Sequence, residues 1–180
     1  MRITKENTVG LVIDIQERLI VAMNNQEELL KNCETLTQGL KELEVPMLVS
    51  QQYTKGLGET VPVIQAAFDE FSYFEKKEFS CFQVPEIAAK IKELGAKNII
   101  ISGIESHVCV LQTAVDLKAA GLNPIVVMDC VSSRTAANVE LAKERFRHEG
   151  IMMTSYESIL FELTGSAGDP SFRAISKLVK

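Results

Sequence analysis

The chain predicts an α/β fold of three layers, a doubly wound parallel sheet with helices on both faces. Three observations carry this. Short β-branched runs recur without polar alternation, as in strands buried on both sides. Longer amphipathic segments separate them, as crossover helices separate parallel strands. No internal repeat or low-complexity stretch interrupts the order.

The elements follow from local pattern. Val9–Ile13 reads as the first strand, closed by Asp14-Ile-Gln16. Leu29 to Leu43 places Leu29, Leu36, Leu40 and Leu43 at helical spacing. Pro46–Val49 is the second strand. Pro85 to Leu94 is a helix with proline in its first turn and Gly95 at its exit. Lys97–Gly103, Pro124–Met128 and Gly150–Thr154 supply three more strands. Between them lie helices from Ser106 to Ala120 and Ala136 to His148, and a short one follows from Tyr156 to Leu163. Gln51 to Phe82 is irregular, and long inserts after a strand's carboxyl end are where such folds keep ligands.

With 180 residues the chain fits one domain, residues 1–180, with a flexible tail expected from about residue 165. It is 46% hydrophobic and 24% charged, ordinary for a globular protein. A net charge of −5 argues against a nucleic-acid partner. No run approaches the ~20 apolar residues of a membrane span, and the charged start is unlike a signal peptide, so no membrane partner and a cytoplasmic location are expected. Cys33, Cys81, Cys109 and Cys130 show neither disulfide-framework nor zinc-ligand spacing.

Polar residues follow the predicted strands on one edge of the sheet, the default position of a site. Ser106 reads as a helix N-cap, which puts Cys109 at the third helical position. There, unpaired N–H groups and the helix dipole favour thiolate. A buried, inert cysteine is the other reading. Asp14 is either a helix cap or a strand-tip carboxylate able to take a thiol proton. Lys76, in Phe74-Glu-Lys-Lys-Glu-Phe79, reads alone as a solvated charge run. His107 is two residues from Cys109 and would face elsewhere on a helix.

Together, Leu11-Val-Ile-Asp-Ile-Gln16, Lys76-Lys-Glu-Phe-Ser-Cys-Phe82, Gly103-Ile-Glu-Ser-His-Val-Cys-Val110, Asp129-Cys-Val-Ser-Ser-Arg134 and Glu157-Ser-Ile-Leu-Phe-Glu-Leu163 resemble the isochorismatase-like cysteine hydrolases. The resemblance runs from about Thr8 to Leu163. It implies Cys109 as nucleophile, Asp14 as general base and Lys76 as their cation, with Lys77 ranked behind. It also implies a cis Ile104–Glu105 peptide and an oxyanion hole of the Glu105 and Cys109 N–H groups. Gln16, Tyr53, Leu57, Phe82 and His107 are candidate lining of a substrate pocket. Metal-using relatives place Asp and His ligands where this chain has Val49 to Gly58, without histidine, so neither metal nor cofactor is expected. The stretch from Gln51 to Gly58 is similar to the small isochorismatase-domain-containing subgroup.

The resulting expectation is a metal-independent hydrolase cleaving a C–N bond of a small amide, carbamoyl or ureido substrate through a thioester. Alternatives are hydrolysis of another activated acyl compound such as an ester, a redox-sensing thiol, or a non-catalytic interaction protein. A sensor needs neither Asp14 nor Lys76, and no resolving cysteine stands beside Cys109 in the sequence. Phe68, Phe71, Tyr73, Phe74, Phe79 and Phe82 offer more aromatic surface than one insert readily buries. A homo-oligomer, dimer or tetramer, is therefore expected.

Overall fold

A computed structural model describes residues 2–180, and among these residues six parallel strands form one sheet. They are β1 (Thr8–Ile13), β2 (Met47–Gln52), β3 (Phe74–Lys76), β4 (Asn98–Ile104), β5 (Asn123–Ser132) and β6 (Met152–Thr154). Their order is β3-β2-β1-β4-β5-β6. The chain builds outward from β1 in one direction, then returns to β4 and builds outward in the other. The switch point therefore lies between β1 and β4, which pair from Thr8↔Asn98 to Ile13↔Gly103.

Every residue of β1 and β4 is buried. Alternate side chains feed two cores, because successive residues of a strand point to opposite faces. Val12 and Ile100 join the core under α2 (Gln26–Glu42), α8 (Tyr156–Thr164) and α9 (Phe172–Leu178). Val9, Leu11, Ile99 and Ile101 join the core under α5 (Pro85–Glu93), α6 (Leu111–Ala119) and α7 (Ala136–His148). In α2, Leu29, Cys33, Leu36 and Leu40 make the inward stripe. The remaining short helices are α1 (Glu17–Ile20), α3 (Thr54–Leu57) and α4 (Pro62–Gln65), the last two within the insert.

The expected three-layer class holds, with two differences. β3 is an additional edge strand in the segment that reads as a charge run, paired to β2 through Ser50↔Phe74, Gln51↔Glu75 and Gln52↔Lys76. Residues from 165 onward are not a loose tail: they include α9, whose Ile175 is fully buried against α2 and α8. One apolar anchor per turn is enough to dock a short helix, and the glycines around it hide that in the sequence.

At the switch point β1 and β4 approach closely. A Cβ on Gly103 would lie 2.0 Å from the Ile13 carbonyl oxygen, and its φ of +121° is one that side chains disfavour. Gly103→Ala is expected to cost roughly 3 kcal/mol or more, combining backbone strain with overpacking. Urea unfolding checks it, and an unchanged midpoint would mean the strands can part at no cost.

Candidate active site

Asp14 leaves β1 in the left-handed region, at φ 54°, which aspartate tolerates better than most residues. That turn sets its carboxylate at the carboxyl edge of the sheet, fully buried. Ser50, opposite Ile13 in the carboxyl half of β2, donates to Asp14 Oδ1 at 2.8 Å. Lys76 donates to Oδ2 at 2.6 Å. The lysine starts two strands away, and strands lie ~4.8 Å apart, so its long side chain is what makes the reach possible. It passes its ladder partner Gln52, whose Oε1 accepts from Nζ at 2.5 Å. The Glu78 and Phe79 carbonyls accept from the same ammonium at 3.2 and 3.3 Å. Lys77, in contrast, is exposed. The ion pair is enclosed, with side chains 0% and 1% exposed, and its extra partners offset the desolvation of both charges.

Cys109 enters from the other side of the switch point. The Ile104–Glu105 peptide is cis, and Ser106–Val110 forms a single π-helical turn before α6. The Glu105 carbonyl takes the N–H groups of Val108 and Val110 rather than that of Cys109. Ser106 is not the cap expected of it: Glu105 holds the N-cap position, no side chain caps the turn, and Cys109 is its fourth residue. The Ser106 hydroxyl is committed instead to Ser133 Oγ. Cys109 is 7% exposed, whereas Cys33, Cys81 and Cys130 are fully buried; among the described residues all four thiols are free.

The surroundings of the Cys109 thiol push against the thiolate expected from the helix dipole and Lys76. Burial, then the Asp14 carboxylate, push Cys109 up to about 12, against the pull of Lys76. Both influences favour the thiol over the thiolate at Cys109. Burial also raises Asp14, opposed by Lys76 and by its hydrogen bonds. For Lys76, burial pulls downward but Asp14 and the neighbouring thiols outweigh it, so the ammonium persists.

The expected pocket residues do not all converge. Gln16 is fully buried and structural: its Nε2 donates to the Gln52 and Gly58 carbonyls at 3.0 and 2.7 Å, and its Oε1 accepts from the Gln52 N–H at 2.6 Å. It fastens the insert to the end of β1 and leaves no group for a ligand. Tyr53 is half exposed, Leu57 is half-buried at the end of α3, and Phe82 is half-buried on the core beneath α5 and α6. His107 turns its Nδ1 to Ser133 Oγ at 2.9 Å, away from any role as the thiol's base. Of the insert aromatics, Phe68, Phe71, Phe74 and Phe82 pack on the cores, while Tyr73 and Phe79 stay exposed. Where the metal-using relatives carry ligands, Gln51 bonds Glu59 and Thr60, and Gln52 bonds Lys76 and the Lys77 carbonyl.

Sequence reading misses three members of the cluster. Ser50 and Gln52 hold the ion pair, and their signal is polar residues in the carboxyl half of β2, on the same edge as Asp14. Cys81 is the third. Its Sγ donates to Ser50 Oγ at 3.3 Å, and burial followed by Asp14 pushes it up to about 11. A second thiol therefore stands in the cluster, though thirty residues of insert and helix hide it in the sequence.

A polar constellation at the switch point of a doubly wound sheet, with an acid, a cation and a thiol in one enclosure, defines an enzyme-like α/β site. The isochorismatase domain matches residues 8–158, and the chain belongs to that family. It is 37% identical to the secreted isochorismatase effector Isc1 of Phytophthora sojae over 99% of this chain and 87% of that one. It is also 37% identical to isochorismatase domain-containing protein 1 of Salmo salar, over 96% of this chain and 61% of that longer protein. A solved structure described as the MAR1 ribonuclease of Caenorhabditis elegans superposes with TM-score 0.94 at 34% identity, covering 99% and 92% of the two chains. The YcaC gene product of Escherichia coli, described as an octameric hydrolase of unknown specificity, shares the fold with TM-score 0.93 at 20% identity, over 99% and 90%. The family hydrolase fold is thus established for this chain. No helix among the described residues is long and apolar enough to cross a membrane.

Three thiols are held above their ordinary value, Cys81, Cys109 and Cys130, and the first two, which belong to the site, make stability fall in alkali. Between an ordinary thiol value of 9.0 and the folded values near 11 and 12, the unfolded chain loses these protons while the folded one keeps them. Stability then decreases with rising pH, by up to about 1.4 kcal/mol per pH unit per thiol. Urea unfolding from pH 8 to 10.5 should show a shallower decline in Cys81→Ala/Cys109→Ala than in the wild type. Parallel slopes would mean the thiols titrate normally.

Proposed function

We propose that the chain is a cysteine hydrolase that cleaves a C–N bond of a small amide, carbamoyl or ureido compound through a thioester. The observation that supports it is the enclosed Asp14–Lys76 pair, whose carboxylate and ammonium both act on the Cys109 thiol. In this reading the Cys109 sulfur attacks the acyl carbon as its proton passes to Asp14. Asp14 then gives the proton to the departing amine as the C–N bond breaks. Water attacks the thioester, Asp14 accepts its proton, and the acid leaves as the thiol is restored. Lys76 remains charged throughout and holds Asp14 in place. The N–H groups of Glu105 and Cys109 are the assigned donors to the tetrahedral oxyanion, and no step calls for a metal or cofactor.

Residues 1–180 are read as one hydrolase domain working in a reducing compartment such as the cytoplasm, on the ground that the four cysteines are unpaired. Because one similar structure is described as a ribonuclease, RNA cleavage is the second reading. The net charge of −5 disfavours it, since polyanion binding draws on released counterions. Turnover of a short single-stranded RNA with no turnover across a panel of small amides, carbamates and ureido compounds would select it.

With any amide that turns over, Cys109→Ala should give no product, and hydroxylamine should divert the acyl group to a hydroxamate. Asp14→Asn should lower kcat/KM by roughly a hundredfold or more. The same change removes the charge that raises the thiol while keeping Lys76, so iodoacetamide should label Cys109 faster at neutral pH even as turnover falls. Slower labelling together with normal turnover would rule out the proton-carrier role.

We also infer self-association, from the exposed Phe79, Tyr73 and Tyr53 of the insert. Light scattering at micromolar concentration should return a multiple of 19.9 kDa, and a monomer would refute it.

A further inference from the structure

The Asp129–Arg134 motif has no part in the chemistry above, yet it ends beside the nucleophile. Its first residues serve the fold: Asp129 Oδ1 accepts from the Tyr156 N–H at the start of α8, and Ser132 Oγ donates to the Asn24 carbonyl. Ser133 and Arg134 face the other way. Ser133 Oγ lies 2.5 Å from Ser106 Oγ and 2.9 Å from His107 Nδ1. Glu105 Oε2 accepts from the Arg134 N–H at 3.2 Å and from its Nε at 3.1 Å. Three consecutive side chains, Glu105, Ser106 and His107, are thus held by two residues that follow β5. These are the residues that open the π-helical turn carrying Cys109, a turn with no side-chain cap of its own.

We infer that Ser133 is a positioning residue for the nucleophile, binding Ser106 and His107 so that the Cys109 thiol stays seated against Asp14 and Lys76, with Arg134 holding Glu105 in the same clamp. Both serines are fully buried, so their short contact is not shared with bulk water. An uncapped turn with one wide π-wound loop has weak internal restraint, and a shift of about 1 Å in a reacting group is enough to cost a large factor in rate. Ser133 itself is anchored, since its carbonyl accepts from the Asn24 N–H at 2.9 Å. The clamp therefore transmits the position of the β5 end to the nucleophile. The inference rests on Cys109 being the reacting group.

The thiol's own titration reports its seating without any substrate. It is faced by Asp14, Lys76 and Cys81, while Glu105 and His107 lie on its own turn. Seated, it is held up to about 12 by burial and by Asp14; released, it returns toward an ordinary thiol value. Iodoacetamide labelling of Cys109, followed by peptide mapping from pH 7 to 9.5, should rise without levelling in the wild type. In Ser133→Ala it should level within that range. Labelling near pH 7.5 should be faster by about threefold for each unit the thiol pKa falls, as thiolate gained outweighs nucleophilicity lost. Ser133→Thr keeps the hydroxyl and should restore the wild-type profile. Ser155→Ala, which removes the capping hydroxyl of α8, is the control for general loosening and should leave it unchanged. An unaltered profile in Ser133→Ala, or a shift shared by Ser155→Ala, overturns the inference. Where an amide turns over, Ser133→Ala should lower kcat roughly tenfold at nearly constant KM; a loss confined to KM also overturns it. If no amide turns over, the amidohydrolase reading fails while the labelling profile still decides the clamp.

Discussion

The ion pair between Asp14 and Lys76 is closed off from water, and the arrangement of the sheet's carboxyl edge follows from that. Two buried charges cost several kcal/mol each in lost hydration, which the pair's mutual attraction and further hydrogen bonds to both groups offset. Ser50 takes one carboxylate oxygen; Gln52 and the carbonyls of Glu78 and Phe79 take the remaining ammonium directions. The left-handed turn at Asp14 and the three-residue strand ending in Lys76 are the backbone side of the same requirement. Removing either partner would strand a charge in a dry site, typically a loss of 3–5 kcal/mol.

The pair also decides the form in which Cys109 waits. With one carboxylate and one ammonium the enclosure is neutral, and ionising the thiol would add an unmatched charge to it. Keeping the proton on sulfur is cheaper, and burial raises Asp14 to where receiving that proton is less costly. In the proposed reaction a proton would move only a short way inside the cluster, without importing charge. A thiol of this kind is sheltered from casual oxidation, because the thiolate is the oxidisable form. Cys81, hydrogen-bonded to Ser50 within the same network, is sheltered for the same reason.

Much of this architecture is legible from residue pattern. Strands buried on both faces are β-branched throughout, and parallel strands put their tips on one edge, so Asp14 and Cys109 could be placed together before any coordinates. Lys76 could not be placed that way. Its strand has three residues, too few for a period to show, and its neighbours Glu75, Lys77 and Glu78 are charged and exposed. Ser106 looks like a cap because serine usually is one, but Ser133, twenty-seven positions on, competes for its hydroxyl. Gln16 was expected near a ligand and instead latches the insert. For the thiol, dipole and cation are visible in sequence, whereas the burial that pushes its pKa upward is a property of the packed molecule.

The two rims of the sheet carry a separate consequence. β3 and β6 are its outermost strands, and each is only three residues long. A short rim offers few free N–H and C=O groups as a template, so another chain gains little by adding a strand there. Fibre-like growth through the sheet is thereby discouraged in a protein whose central strands are long, apolar and β-branched. The self-association proposed above would fall to helix and loop surfaces, where a contact can close on itself instead of propagating.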